Sequence, residues 1–228
     1  MAENSLSVLD SIYLQAMNGL PGSESVKTLA EDYLSESGSL ESKVTSLINW
    51  QVAKCSATGF FTGLGGLITL PVTIPADIGV NLYVQTRMSA AIAYMGGYEI
   101  YHDKVKTMVY LALAGNAANE VLKEIAAKTA TNFIEKKISG SLLKQIQKKI
   151  AAKILGNAGA KGASKLVKII PIVGGIVGAG FDGMTTKAIG TAAKKLFIDN
   201  RPPVELTRII SEDEVPDWAK NSLIEGKR

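Results

Sequence analysis

The chain has 228 residues, 46 % hydrophobic and 20 % charged, which is enough for one sizeable domain and too apolar for wholesale disorder. A single cysteine, Cys55, excludes disulfide frameworks, cysteine zinc fingers and cysteine-ligated clusters within one chain. The net charge of +4 conceals an asymmetry: residues 1–50 carry seven acids against two lysines, and residues 121–170 carry eleven lysines against two glutamates.

The N-terminus, "MAENSLSVLD", has an early acid and no basic residue ahead of an apolar core. No secretory signal is read there, and a cytoplasmic location is expected. The first 40 residues read as helices broken at "GLPGSES" and "SESGSL". Ser39 is placed to cap a helix that starts at Leu40 and loses its charges after Lys54. From Cys55 to Ala76 there are 22 residues without a charge, the length of a membrane span, yet "GLGG" and two prolines divide them. A bent or re-entrant path is expected rather than one straight span.

Pro75 suits a first helical position, and the helix it opens should run to Met95 and stop at Gly96–Gly97. A third long helical segment covers 103–137, with a kink expected near Gly115. Gly140 separates it from "SLLKQIQKKIAAKIL", where Leu142, Leu143, Ile146, Ile150 and Ile154 mark an apolar face. Lys144, Lys148, Lys149 and Lys153 lie largely elsewhere on that helix. After "GNAGAKGAS", the segment "KLVKIIPIVGGIVGAGFDGMTTKAIGTAAKKLF" repeats the earlier plan of a proline, a run of small residues and an aspartate. Beyond Phe197, "IDNRPP" should end it, and an acidic tail follows. High glycine and low aromatic content suit close helix contacts better than a sandwich of strands. The expected fold is therefore all-α: a multi-helix bundle with long apolar glycine-rich helices and amphipathic basic ones.

Two stretches, "ATGFFTGLGGLITLPVTIPADIGVNLYVQTRMSAAIAYMGGY" and the 165–197 segment, carry a wider likeness. Together they resemble the EcsC family, named after a product of a bacterial operon that also encodes an ABC transporter. The first block has the small-residue run, proline, aspartate and helix ending near a tyrosine-glycine turn; the second has the lysine-leucine and proline-valine-glycine opening. The likeness covers about residues 40–197 and implies an architecture rather than a reaction. It suggests an N-terminal helical extension at 1–39, an EcsC-like helical domain at 40–200 and a C-terminal tail at 201–228. Asp182 stands where the family often has asparagine, so a role resting on charge at 182 is not implied.

Candidate binding residues lie in both blocks. Asp77, Asn81 and Gln85 fall at i, i+4 and i+8, drifting about 80° around an ideal helix. Arg87 lies about 80° from Asp77 by the same geometry. These side chains form either a satisfied buried stripe, with Asp77 at the helix start, or a surface turned to a ligand. Asp182, Thr185, Thr186 and Lys187 form the comparable cluster, where a threonine hydroxyl can simply bond its own helix. If the blocks cross, an Asp77–Lys187 or Arg87–Asp182 pair is plausible. Gly59/Gly63, Gly174/Gly178 and Ala179/Gly183 are small pairs able to bring backbones close.

No catalytic or metal constellation is read. "GLGG" and "GGIVGAG" fit neither the phosphate-loop pattern nor a dinucleotide fingerprint. His102, the one histidine, stands at a helix start and suits capping. The basic half has no arginine and little aromatic content, which argues against nucleic acid. Lysines on an amphipathic helix suit an anionic bilayer. The expected function is a non-enzymatic, cytoplasmic, membrane-associated protein, peripheral or partly inserted, that binds anionic lipid without a cofactor. The alternatives are a helical protein enclosing an apolar ligand or lipid near Asp77, Asn81 and Gln85, or a module for a protein partner.

Overall fold

The early helices begin where serines can cap them. In the computed structural model, which describes residues 2–56, 76–115, 118–119, 121, 139–155 and 179–199, α1 spans Ala2–Asn18, α2 Val26–Ser35 and α3 Leu40–Ser56. Ser25 Oγ accepts from the Thr28 N–H at 3.2 Å, and Ser39 Oγ accepts from the Ser42 N–H at 3.2 Å. Each bond satisfies a donor that a helix start leaves open. In the α1–α2 turn, Gly19 has φ +82°, and a Cβ there would stand 2.5 Å from the Glu24 carbonyl oxygen. Glycine is required at that position.

The next helix, α4, spans Ala76–Met95. It ends where the Tyr98 N–H reaches the Ala93 carbonyl at 3.1 Å and the Gly97 N–H reaches the Tyr94 carbonyl at 2.8 Å. With Gly97 at φ +86°, this is a Schellman stop, at the glycines expected from sequence. The following helix, α5 (Asp103–Ala114), is capped by His102, whose Nδ1 accepts from the Lys104 N–H at 3.1 Å. It terminates at Gly115, φ +54°, rather than bending there. Residues 118, 119 and 121 are again helical, and the rest of the expected long segment lies outside the described residues. Two more helices are described, α6 (Gly140–Leu155) and α7 (Ala179–Lys194), and α7 runs on as a π-helical turn, Lys195–Asp199. Among the described residues there is no strand. The fold is all-α.

The scarcity of charge in α4 follows from its place. From Val80 to Met95 every residue except Asn81 and Tyr94 is buried, and α1, α2, α3, α5 and α7 all pack against it. A helix enclosed on every side has no face on which charges can be solvated. Around it, α1 contributes Leu9, Ile12, Tyr13, Ala16 and Met17, all fully buried. Each large apolar side chain buried this way contributes about 1.5–3 kcal/mol of transfer free energy. Among the described residues no helix is long and apolar enough to cross a membrane.

Backbones approach closely where α3, α4 and α7 meet. A Cβ at Gly190 would lie 2.9 Å from both γ carbons of Ile48 and 3.1 Å from Met88 Cε. Gly183, Thr186, Gly190 and Ala193 share the buried side of α7, so small residues let its backbone approach both neighbours. The pairings set direction. Gln85 meets Thr185 and Thr186, Met88 meets Gly190, and Gly96 meets the Phe197 carbonyl, so α4 and α7 run parallel. Ile48 meets Gly190 and Glu41 meets Lys194 (3.9 Å), so α3 runs opposite to both.

Candidate functional site

The two blocks singled out in the sequence are neighbours in space, and a buried amide joins them. Gln85 Nε2 donates to Thr186 Oγ1 at 3.2 Å and lies 3.5 Å from Thr185 Oγ1. All three residues are almost wholly buried. The threonines thus serve a partner on another helix. Along the same interior seam the polar account does not close. Asn81 Oδ1 and Gln51 Nε2 are buried and find no hydrogen-bond partner among the described residues. Such atoms cost about 1–3 kcal/mol each when unpaired.

The charged members of the stripe go elsewhere. Arg87 does not reach across to α7: its guanidinium donates to the Glu24 carbonyl and pairs with the Glu24 carboxylate at 3.3 Å, fastening the α1–α2 turn to α4. Lys187 is exposed on α7. Asp77 and Asp182 sit within their helices, and their side chains lie outside the described residues. The Gly59/Gly63 and Gly174/Gly178 pairs and the 201–228 tail also lie outside them.

On the opposite side, α1, α5 and α6 enclose a cleft of about 240 Å³. Lys106, 6 % exposed, reaches Asp10 Oδ1 on α1 and Asp103 Oδ1 on its own helix, each at 3.3 Å. Tyr110 donates to Asp10 at 2.7 Å, and burial, then the Asp10 charge, pushes its phenol well above the usual tyrosine range. Gln147 on α6 donates to Thr107 Oγ1 at 2.8 Å. Leu6, Leu14 and Leu143 supply apolar wall, and Lys144 stands at the cleft. Sequence reasoning missed this group. The i,i+3 pair Asp103–Lys106 was visible, but nothing local links Asp10 to a lysine on another helix.

The basic helix α6 is amphipathic as its spacing predicts. Leu143, Ile146, Ile150 and Ile154 are buried against α1 and α5. Lys144 and Lys149 are exposed, and Lys148 and Lys153 are partly so. Lys148 donates to Glu3 Oε1 at 2.6 Å, which lowers the Glu3 carboxyl below its usual range. On an ideal helix Lys144 and Lys148 sit within about 40° of one another, while Lys149 and Lys153 lie about 140–180° from Lys144. The charge flanks the helix on two sides instead of forming one stripe.

These features define a class: an all-helical bundle assembled around a central buried helix and a parallel glycine-containing partner. The chain belongs to the EcsC protein family, whose profile matches residues 7–198. The matched region opens within α1 and closes in the π-helical turn. The chain is also similar to the uncharacterized protein YdbA of Bacillus subtilis (strain 168), with 28 % identity over 143 residues, 63 % of this chain. It spans 51 % of that relative's length. No solved structure matches.

Proposed function

We propose that this protein is a non-enzymatic, peripheral binder of anionic membrane surface. The supporting observation is the state of α6: Lys144 and Lys149 stand exposed while its isoleucines are already consumed by the core. A lysine near an anionic bilayer contributes about 1 kcal/mol, so this helix supplies attraction but no apolar anchor while the bundle stays folded. Affinity from α6 alone is therefore weak and steeply salt-dependent.

Co-sedimentation with neutral and with phosphatidylglycerol-containing vesicles, at low and physiological salt, tests this reading. Binding to the anionic vesicles that weakens with salt is expected. No binding to either at any salt ends it.

The unpaired Asn81 Oδ1 favours a second reading, an enclosed polar-headed ligand in the α3–α4–α7 seam. Native mass spectrometry of freshly purified protein tests that one. A single mass corresponding to bare polypeptide, together with an Asn81→Leu variant of equal or greater stability, would remove it.

A further inference from the structure

The cleft beside Lys106 is one end of a longer groove. A second concavity of about 420 Å³ adjoins it, and the two share Leu6, Asp10, Leu14 and Lys144. The walls are two helical stripes. Leu6, Asp10 and Leu14 recur every four residues on α1, and Gly140, Lys144 and Lys148 do the same on α6, so each set lies along one face. Lys148 pairs with Glu3 toward one end, while Leu14 and Gly140 line the other, so the stripes run antiparallel. All of these residues are among those described.

Asp10 and Lys144 stand in the middle of opposite walls without pairing to each other. The Asp10 carboxylate is held from α5: Lys106 Nζ reaches its Oδ1 at 3.3 Å, and Tyr110 donates to the same oxygen at 2.7 Å. Oδ2 takes neither bond. Lys106 also serves Asp103 at 3.3 Å, so one buried ammonium faces two carboxylates and the floor keeps a surplus negative charge. Lys144 is exposed and makes no ion pair among the described residues. Leu6, Leu14 and Leu143 line the same cleft as these charges. A negative floor, a cation on the facing wall and apolar surface around them are complementary to a molecule that carries both signs on a short carbon chain.

We propose that this groove binds a small zwitterion, its primary ammonium donating to Asp10, its anionic end meeting Lys144 and its carbon chain lying against the leucines. Phosphoethanolamine has this chemistry, free in solution or as the headgroup of a lipid. The proposal is independent of the vesicle reading, because the free zwitterion binds without a bilayer.

Isothermal titration calorimetry of the full chain with O-phosphoethanolamine tests it. Saturable binding with a Kd at or below about 1 mM is expected. Inorganic phosphate, or phosphoethanolamine acetylated on its nitrogen, lacks the ammonium and should bind about tenfold more weakly or worse. Asp10→Asn keeps an oxygen for Tyr110 and should weaken phosphoethanolamine about tenfold while leaving phosphate unaffected. Gly140→Leu keeps the test open if that variant fails to fold. Gly140 lines the cleft at the first residue of α6, and a side chain there meets open space, so leucine should fill the groove, retain helicity and abolish binding. Dihexanoyl phosphatidylethanolamine below its micellar concentration separates the two sources. Tighter binding than phosphoethanolamine assigns a lipid headgroup, equal or weaker binding a free metabolite, and either supports the groove. Phosphate binding as tightly as phosphoethanolamine, or unchanged binding by a folded Gly140→Leu variant, overturns the proposal. Absence of binding by every probe also overturns it and leaves the vesicle reading standing.

Discussion

Gln85 Nε2 stands 3.2 Å from Thr186 Oγ1, across an interface made by residues 101 positions apart in the chain. That one bond fixes the level at which α4 and α7 lie side by side. Replacing Thr186 with valine keeps the shape but leaves the amide facing Thr185 alone at 3.5 Å. A loss of about 1–3 kcal/mol is expected by urea denaturation. In a double-mutant cycle with Gln85→Leu, the pair should show a coupling of at least about 0.5 kcal/mol. Strict additivity would mean that the bond contributes nothing to the interface.

Gly190→Ala should be destabilising for a different reason. The added methyl would sit 2.9 Å from both γ carbons of Ile48 and 3.1 Å from Met88 Cε. Overpacking of this kind costs about 1–3 kcal/mol. Ile48→Ala, made alongside it, removes both γ carbons from the contact, so the two changes together should lower the melting temperature by less than the sum of their separate effects. If Gly190→Ala is neutral by itself, the close approach of α3 and α7 is wrong.

Alkaline pH should unfold the protein through Tyr13 and Tyr110. Both are fully buried, and burial raises each phenol well above its ordinary value of 10.0. The sign follows from the raised folded-state value: the stabilisation is complete below about pH 10 and is lost as pH climbs toward the folded pKa. Absorbance at 295 nm, followed with circular dichroism, should show these two phenols ionising only as helicity collapses. At neutral pH, Tyr110→Phe removes the bond to Asp10 and should cost about 1.5 kcal/mol, the lower end for a charged acceptor, because Lys106 still pairs with that carboxylate. Free titration of all seven tyrosines while helicity persists would contradict the buried pair.

Replacing Lys144, Lys148, Lys149 and Lys153 together with glutamine should leave the fold nearly intact, since each exposed change costs less than about 0.5 kcal/mol. The loss of the Lys148–Glu3 bond falls on an exposed carboxylate and adds little. Vesicle binding should become weaker and less sensitive to salt. Unchanged salt sensitivity in a folded quadruple variant would show that α6 is not the electrostatic surface.

What could be read from sequence was what the chain decides locally. The Ser39 cap, the glycine stop after Met95 and the His102 cap all involve residues within five positions, and each stands as expected. The polar stripe on α4 was visible too, and so was the amphipathic spacing of α6. Partners were not. Arg87 pairs with Glu24, 63 residues away, and Asp10 with Lys106, because turns and distant helices deliver them there. The scarcity of charge in the second block's neighbour, α4, was ambiguous for a physical reason. Lipid and a surrounding ring of helices both exclude charge, and hydropathy cannot tell one apolar environment from the other. Five packed neighbours settle that question for α4. Of the cleft around Lys106 only the i,i+3 pair with Asp103 had a local trace.

The parallel pairing of α4 with α7 also sets an order for biosynthesis. During translation α3 and α4 emerge long before residues 179–194, so Ile48 and Met88 have to wait for the glycine that covers them. Closing a loop of about a hundred residues is an entropic step that slows folding more than it weakens the finished state. Until then the nascent chain carries an open apolar furrow, a target for chaperones and for aggregation. A ribosome stalled ahead of residue 179 would release a bundle lacking one wall, with a closely packed surface turned to water.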